Sequence, residues 1–77
     1  MDPMLATITY FAGNFAPQGW AFCNGASLQT QQNPALFSLL GNRFGGDGVH
    51  NFNLPNIPDL NGLKALICLE GIYPSRP

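Results

Sequence analysis

The sequence predicts a small α+β domain: a mainly antiparallel β-sheet, one short helix and a long ordered loop rich in Gly, Asn and Pro. Three observations predict it. Residues 4–12 and 63–73 carry β-branched, aromatic and aliphatic residues at strand spacing. Residues 33–41 open on Asn-Pro and close on Gly, the marks of the two ends of a helix. The chain has only 77 residues, which is enough for one domain over residues 1–77 and no more.

The first strand is expected in "MLATITYFA", with Ala6, Ile8 and Tyr10 on one face and Thr7, Thr9 and Phe11 on the other. "GNFAPQG" then breaks the pattern by its turn chemistry. In "WAFCNGASLQ" the spacing puts Trp20 and Phe22 on one face and Ala21 and Cys23 on the other. Asn24-Gly25 between two short apolar runs predicts a type I′ hairpin turn, since both residues tolerate positive φ. Trp20 and Phe22 are expected to fill the core, and Cys23 to be a small packing residue behind them.

The helix follows in "NPALFSLLG". Asn33 is the expected N-cap, Pro34 sits where a missing N–H is harmless, and Gly41 suits a left-handed C-terminal position. Two turns of helix do not persist alone in water, so this one must dock on a sheet, with Phe37 and Leu40 as anchors. Residues 44–62 read as one long loop through Gly46, Asp47 and Gly48 to Pro55. Phe52, Leu54, Ile57 and Leu60 recur along it and are expected to pin it to the body. In "GGDG" the Asp47 carboxylate is expected to bond the backbone of a tight turn. The last strand, 63–73, alternates Leu63, Ala65, Ile67 and Leu69 with Lys64, Leu66, Cys68 and Glu70. A strand apolar on both faces is central in a sheet or covered by a partner.

Charged residues are 9% of the chain, against about 25% in an ordinary globular domain. With 45% hydrophobic residues and a net charge of −1, this composition favours association. The 63–73 strand, or the 4–11 strand, is expected to pair or pack with a neighbouring subunit, and Leu66, Ile67, Cys68, Leu69, Ile72 and Tyr73 are the candidate assembly residues. No cluster of Lys and Arg offers phosphate contacts, so nucleic acid is not an expected partner. No apolar run approaches the length of a bilayer span, so membrane insertion is not expected. The N-terminus has neither a basic start nor a continuous apolar core, so no signal peptide is expected.

Catalytic readings find little support. The single His, His50, lies on the expected loop, and no nucleophile motif surrounds Cys23 or Cys68. Their separation does not match a zinc or thioredoxin motif. Two buried thiols is the simplest reading, with a disulfide as the alternative if their strands are neighbours. His50 makes a metal site only with Asp47 and Asp59 or with symmetry mates. Asp47 lacks the regularly spaced oxygens of a calcium loop. "GGDG" lacks the ending of a phosphate loop. Asp47, Asp59 and Glu70 have no supporting aromatics for glycoside hydrolysis. The expectation is therefore no enzyme, no cofactor and no metal.

In order along the chain stand Gly-Trp (19–20), Cys-Asn-Gly (23–25), Ala-Leu-Phe (35–37), Leu-Gly (40–41), Gly-Asp-Gly (46–48) and Phe-Asn-Leu-Pro (52–55). As a set, over residues 4–62, they resemble the phage tail collar domain family, whose members include short tail fibre collars and the microcystin-dependent group. "ICLEGIYPSRP" is similar to the C-terminus of that second group. The resemblance implies a structural, self-assembling protein of a virion tail or extracellular fibre, made in the bacterial cytoplasm. Its implied partners are copies of itself, in a trimer or an open filament, and other tail or fibre proteins. The pattern departs from the family's usual "NLPDLRG": a short insertion gives "NLPNIPDLNG", with Asn61 in place of Arg. The long middle region of most relatives is also missing, which favours assembly over adhesion. The competing reading is a host-surface or glycan-binding adhesin that uses the 44–62 loop.

Overall fold

The most apolar segment takes the centre of a sheet. A computed structural model describes residues 3–75. They form β1 (Ile8–Phe11), β2 (Trp20–Phe22), β3 (Ser27–Gln29), α1 (Pro34–Leu40), β4 (Asn51–Asn53) and β5 (Lys64–Cys68). The first sheet has the order β1-β5-β2, antiparallel throughout; β3 and β4 make a second, two-stranded antiparallel sheet. An α+β architecture with small antiparallel sheets and one short helix thus matches expectation. The central place of β5 explains why it is apolar on both faces: four of its five residues are buried.

Register assigns each residue of the first sheet to a face, because residues directly opposite one another point the same way. Ile8 opposes Ile67, Tyr10 opposes Ala65 and Ala21 opposes Ile67. This is the inner face. Ala65 and Ile67 there join Leu5, Cys23, Leu36, Leu40, Phe52 and Leu54 in one buried cluster, so β5, α1 and the segment around β4 share a core. Trp20 opposes Cys68, while Phe22 and Thr9 oppose Leu66. This is the outer face. The expected roles of Trp20 and Phe22 are therefore reversed. Both are only half-buried, on the outer face, and it is Cys23, 3% exposed, that enters the core.

Three further expectations are corrected. First, Asn24-Gly25 does not close a hairpin: β2 pairs with β5 and β3 with β4. Gly25 has φ 81°, but Asn24 is not among the positive-φ residues, so the turn is not type I′. Asn24 Oδ1 instead accepts the Ala26 N–H at 3.1 Å, and Asn24 forms a bridge with Asn56. The chain crosses here from one sheet to the other. The hairpin geometry appears at Asn61-Gly62, with φ 52° and 80°. Leu60 and Leu63 exchange backbone hydrogen bonds of 2.9 and 2.8 Å across it. Second, residues 44–62 are not loop throughout, because β4 lies within them. Phe52 and Leu54 are buried as expected, whereas Leu60 is 51% exposed. Third, the end strands are shorter than 4–12 and 63–73. A turn at Leu5-Ala6, with Ala6 at φ 69°, precedes β1, and Met4 pairs in parallel with Ile72 beyond β5.

The helix has its expected limits. Pro34 opens it, and the Gly41 N–H donates to the Phe37 carbonyl. The Asn33 side chain does not cap it; its Nδ2 donates to the Gln29 carbonyl at 3.0 Å and ties the helix start to β3. Gly41 has the positive φ of 59° that favours glycine, but its ψ of −151° lies outside the left-handed helical region. Leu36 and Leu40 are the buried anchors. Phe37 is half-buried, its ring 5.3 Å from that of Phe52.

Candidate functional site

The loop from Gly45 to Asn51 is built around one carboxylate. Asp47 Oδ1 accepts the backbone N–H groups of Val49 (2.7 Å), His50 (2.8 Å) and Asn51 (3.1 Å). The Asn51 side-chain oxygen accepts the Asp47 N–H at 2.9 Å. The backbone donors at Val49, Asn51 and His50 hold the Asp47 carboxyl well below the usual carboxylate range. The expected tight turn around Asp47 is present, with positive φ at Gly46 and Gly48. The chain passes so close to itself that a Cβ on Gly46 would lie 2.6 Å from the Phe52 Cα. His50 Nδ1 lies 3.4 Å from Asp47 Oδ2, with the imidazole 87% exposed.

This loop forms one wall of an open groove of about 790 Å³, and the 27–31 segment forms the other. Gln29, Gln31, Asp47, Val49, His50 and Asn51 are among its lining residues. Much of its polarity is already engaged. Besides the Asp47 bonds, Asn51 Nδ2 donates to Ser27 Oγ, and Thr30 Oγ1 donates to the Val49 carbonyl. A second cleft of about 280 Å³ lies at the end of the first sheet, lined in part by Phe22, Asn24, Asn56, Ile57, Asp59 and Lys64. Lys64 Nζ stands 3.3 Å from Asp59 Oδ2 and 5.7 Å from the Phe22 ring centroid.

The residues singled out for assembly separate into two groups. Leu66, Ile67 and Cys68 are at most 2% exposed, in a strand whose two edges are already paired with β1 and β2. The chain's own residues cover them, so of the two strands expected to seek a partner this one has its neighbours within the chain. Leu69 is half-buried, and its N–H donates to the Gly19 carbonyl. Ile72 and Tyr73 are 57% and 50% exposed; the Tyr73 hydroxyl is hydrogen-bonded to Ser38 Oγ at 2.7 Å. Cys23 and Cys68 are buried, free thiols on opposite faces of the sheet, not a disulfide. Burial pushes the Cys23 thiol up.

The other strand expected to meet a neighbouring subunit, 4–11, lies in an exposed apolar surface near the start of the chain, although sequence reading does not single out its residues individually. Met4, Ile8, Tyr10 and Phe15 are all at least 42% exposed. β1 is an edge strand, and among the described residues its outer edge has no partner strand. It carries neither a charge nor a proline between Ile8 and Phe11. On the outer face, Phe11 and Phe15 meet edge-to-face at 6.2 Å. The absence of charge from residues 3–42 was the available signal for this surface. Among the described residues no three His, Cys, Asp or Glu side chains converge as metal ligands, and no helix is long and apolar enough to cross a membrane.

Comparison with known proteins agrees with the motif order. The profile of the phage tail collar domain matches residues 6–63. The short tail fiber protein gp12 of Enterobacteria phage T4 is 31% identical over 61 residues, which is 79% of this chain and 11% of that protein. The chain therefore spans about a tenth of the length of that relative.

Proposed function

The chain belongs to the phage tail collar domain family, and from that premise we propose that it is a structural unit of a phage tail fibre or a related fibre-forming assembly, working through contacts between copies of itself. The observation that carries the reading is the open edge of β1. Folded proteins blunt exposed edges with charges, prolines or bulges, because an unpaired edge recruits another strand. Ile8, Thr9 and Tyr10 are exposed along β1 with none of these protections. β2, the other edge, is entered through Pro17 and Gly19, and Gly19 is bonded by the Leu69 and Glu70 N–H groups. Strand addition at β1 fits a closed ring or, with head-to-tail contacts, an open filament.

Size-exclusion chromatography with light scattering tests this together with negative-stain imaging. Discrete oligomers or filaments are the expected outcome, and a monodisperse monomer at micromolar concentration would sink the proposal. No chemistry is assigned to the chain in this reading. A second reading, a host-surface adhesin acting through the 44–62 segment, draws support from the two clefts that this segment lines. A glycan array probed with the full chain tests it; no binding on the array rules it out.

A further inference from the structure

We infer that the cleft between β2, β5 and residues 56–59 is a carbohydrate subsite that takes one neutral pyranose ring; this rests on the adhesin reading and assigns it a place and a ligand class. The walls of the cleft are fixed by backbone bonds. The Cys23 N–H donates to the Ala65 carbonyl and the Ile57 N–H to the Cys23 carbonyl, both at 2.9 Å. The Gly25 N–H donates to the Pro55 carbonyl at 3.3 Å, and Asn24 and Asn56 form a bridge. A bound ring therefore meets a site already in shape, and little ordering cost falls on binding.

The lining has the two kinds of surface that a pyranose presents. Ile57 and the part of the Phe22 ring that Lys64 Nζ, 5.7 Å from its centroid, does not face offer apolar area to the sugar's C–H face. Asn24, Asn56, Asp59 and Lys64 surround them with donors and acceptors for hydroxyls, each of which both donates and accepts. Several of these groups are uncommitted. Asn24 uses its Oδ1 on Ala26, but among the described residues its amide NH₂ and the whole Asn56 amide have no hydrogen-bond partner. Asp59 Oδ2 faces Lys64, which leaves Oδ1 open. The charges of Asp59 and Lys64 cancel, which favours a neutral ligand over an anionic sugar. At about 280 Å³, the cleft lies just below the usual range of ligand pockets, which limits it to a single ring. The larger groove beside His50 is the poorer candidate: it has no aromatic wall, and Asp47 Oδ1, Asn51 and Thr30 are committed to the loop itself.

Titration of the isotopically labelled full chain with methyl glycosides of glucose, galactose, mannose and N-acetylglucosamine, followed by two-dimensional NMR, tests the assignment. The expected result is saturable shifts at Asn24, Asn56 and Lys64 with at least one sugar. The pair Asn56→Ala and Asp59→Asn should weaken that binding at least about tenfold and keep a folded spectrum. His50→Ala with Asn51→Ala should leave it unchanged. Saturable shifts confined to His50 and Asn51 would overturn the assignment and leave the adhesin reading standing. No saturable shift with any of the four sugars overturns the assignment; a glycan array also without binding sinks the adhesin reading with it.

Discussion

Among the described residues, Asp47 is the ionised side chain that most shapes its own loop, because one carboxylate oxygen serves three backbone N–H groups. Those donors favour the charged form, so the folded state holds the Asp47 pKa below its unfolded value. The sign follows: the contribution is complete above the ordinary aspartate range near pH 4 and is lost as pH falls below it. Asp47→Asn should therefore lower Tm at neutral pH and flatten its fall on acidification, as read by thermal melts across pH. Gly46 is the second residue on which this turn depends. With φ at 95° and a Cβ position 2.6 Å from Phe52 Cα, alanine there meets backbone on one side and strain on the other. Gly46→Ala is expected to destabilise by about 1–3 kcal/mol or more, measured by denaturant unfolding.

At the scale of elements, the two Asn-Gly pairs show how local sequence and tertiary demand compete. Both carry the hairpin signal, but only Asn61-Gly62 has both residues at positive φ. At Asn24-Gly25 the segment after the turn pairs with β4 instead of folding back onto β2, whose partner is β5. The difference is measurable. Asn61→Val forces a β-branched residue to positive φ at about 1–2 kcal/mol. Asn24→Val loses one exposed hydrogen bond, about 1 kcal/mol or less. Urea midpoints should rank the variants in that order. The helix gives a companion case. Leu36 is 2% exposed and supplies the shared core, so Leu36→Ala should cost about 2–5 kcal/mol, enough to unfold a domain of this size. Leu60→Ala, at 51% exposure, should stay within about 0.5 kcal/mol of the parent.

For the whole molecule, the decisive asymmetry lies between the two faces of the β1-β5-β2 sheet. Over β5 the inner face is closed by α1 and the β3–β4 ribbon, and Leu36, Leu40, Phe52 and Leu54 are buried there; over β1 it stays open. The outer face carries half-buried Phe11, Trp20 and Phe22, and exposed Phe15, with Lys64 laid over Phe22. The β1 edge adds Ile8 and Tyr10. If assembly runs through that edge, Ile8→Lys with Tyr10→Lys should yield a folded monomer by light scattering, since charges on an edge strand oppose strand addition. An oligomer unchanged by this pair would move the interface elsewhere.

The pieces with a local cause were legible in the chain. Pro34 and Gly41 mark the helix, the Gly-Asp-Gly of 46–48 marks its turn, and the two-faced apolar run marks the last strand as covered on both faces, by the chain itself or by a partner. The ordered set of short motifs was also enough to indicate the collar family. Long-range pairing was not legible. Which partner β2 takes, which face Trp20 covers, and that Leu66 and Cys68 are sheltered within the chain all depend on register between strands far apart in sequence. A strand's alternation says that two faces differ; it does not say which one meets the core. That choice belongs to the tertiary structure, because the helix and the second ribbon cover only one side of the sheet. It leaves the aromatic side half-buried and, among the described residues, the β1 edge unpaired.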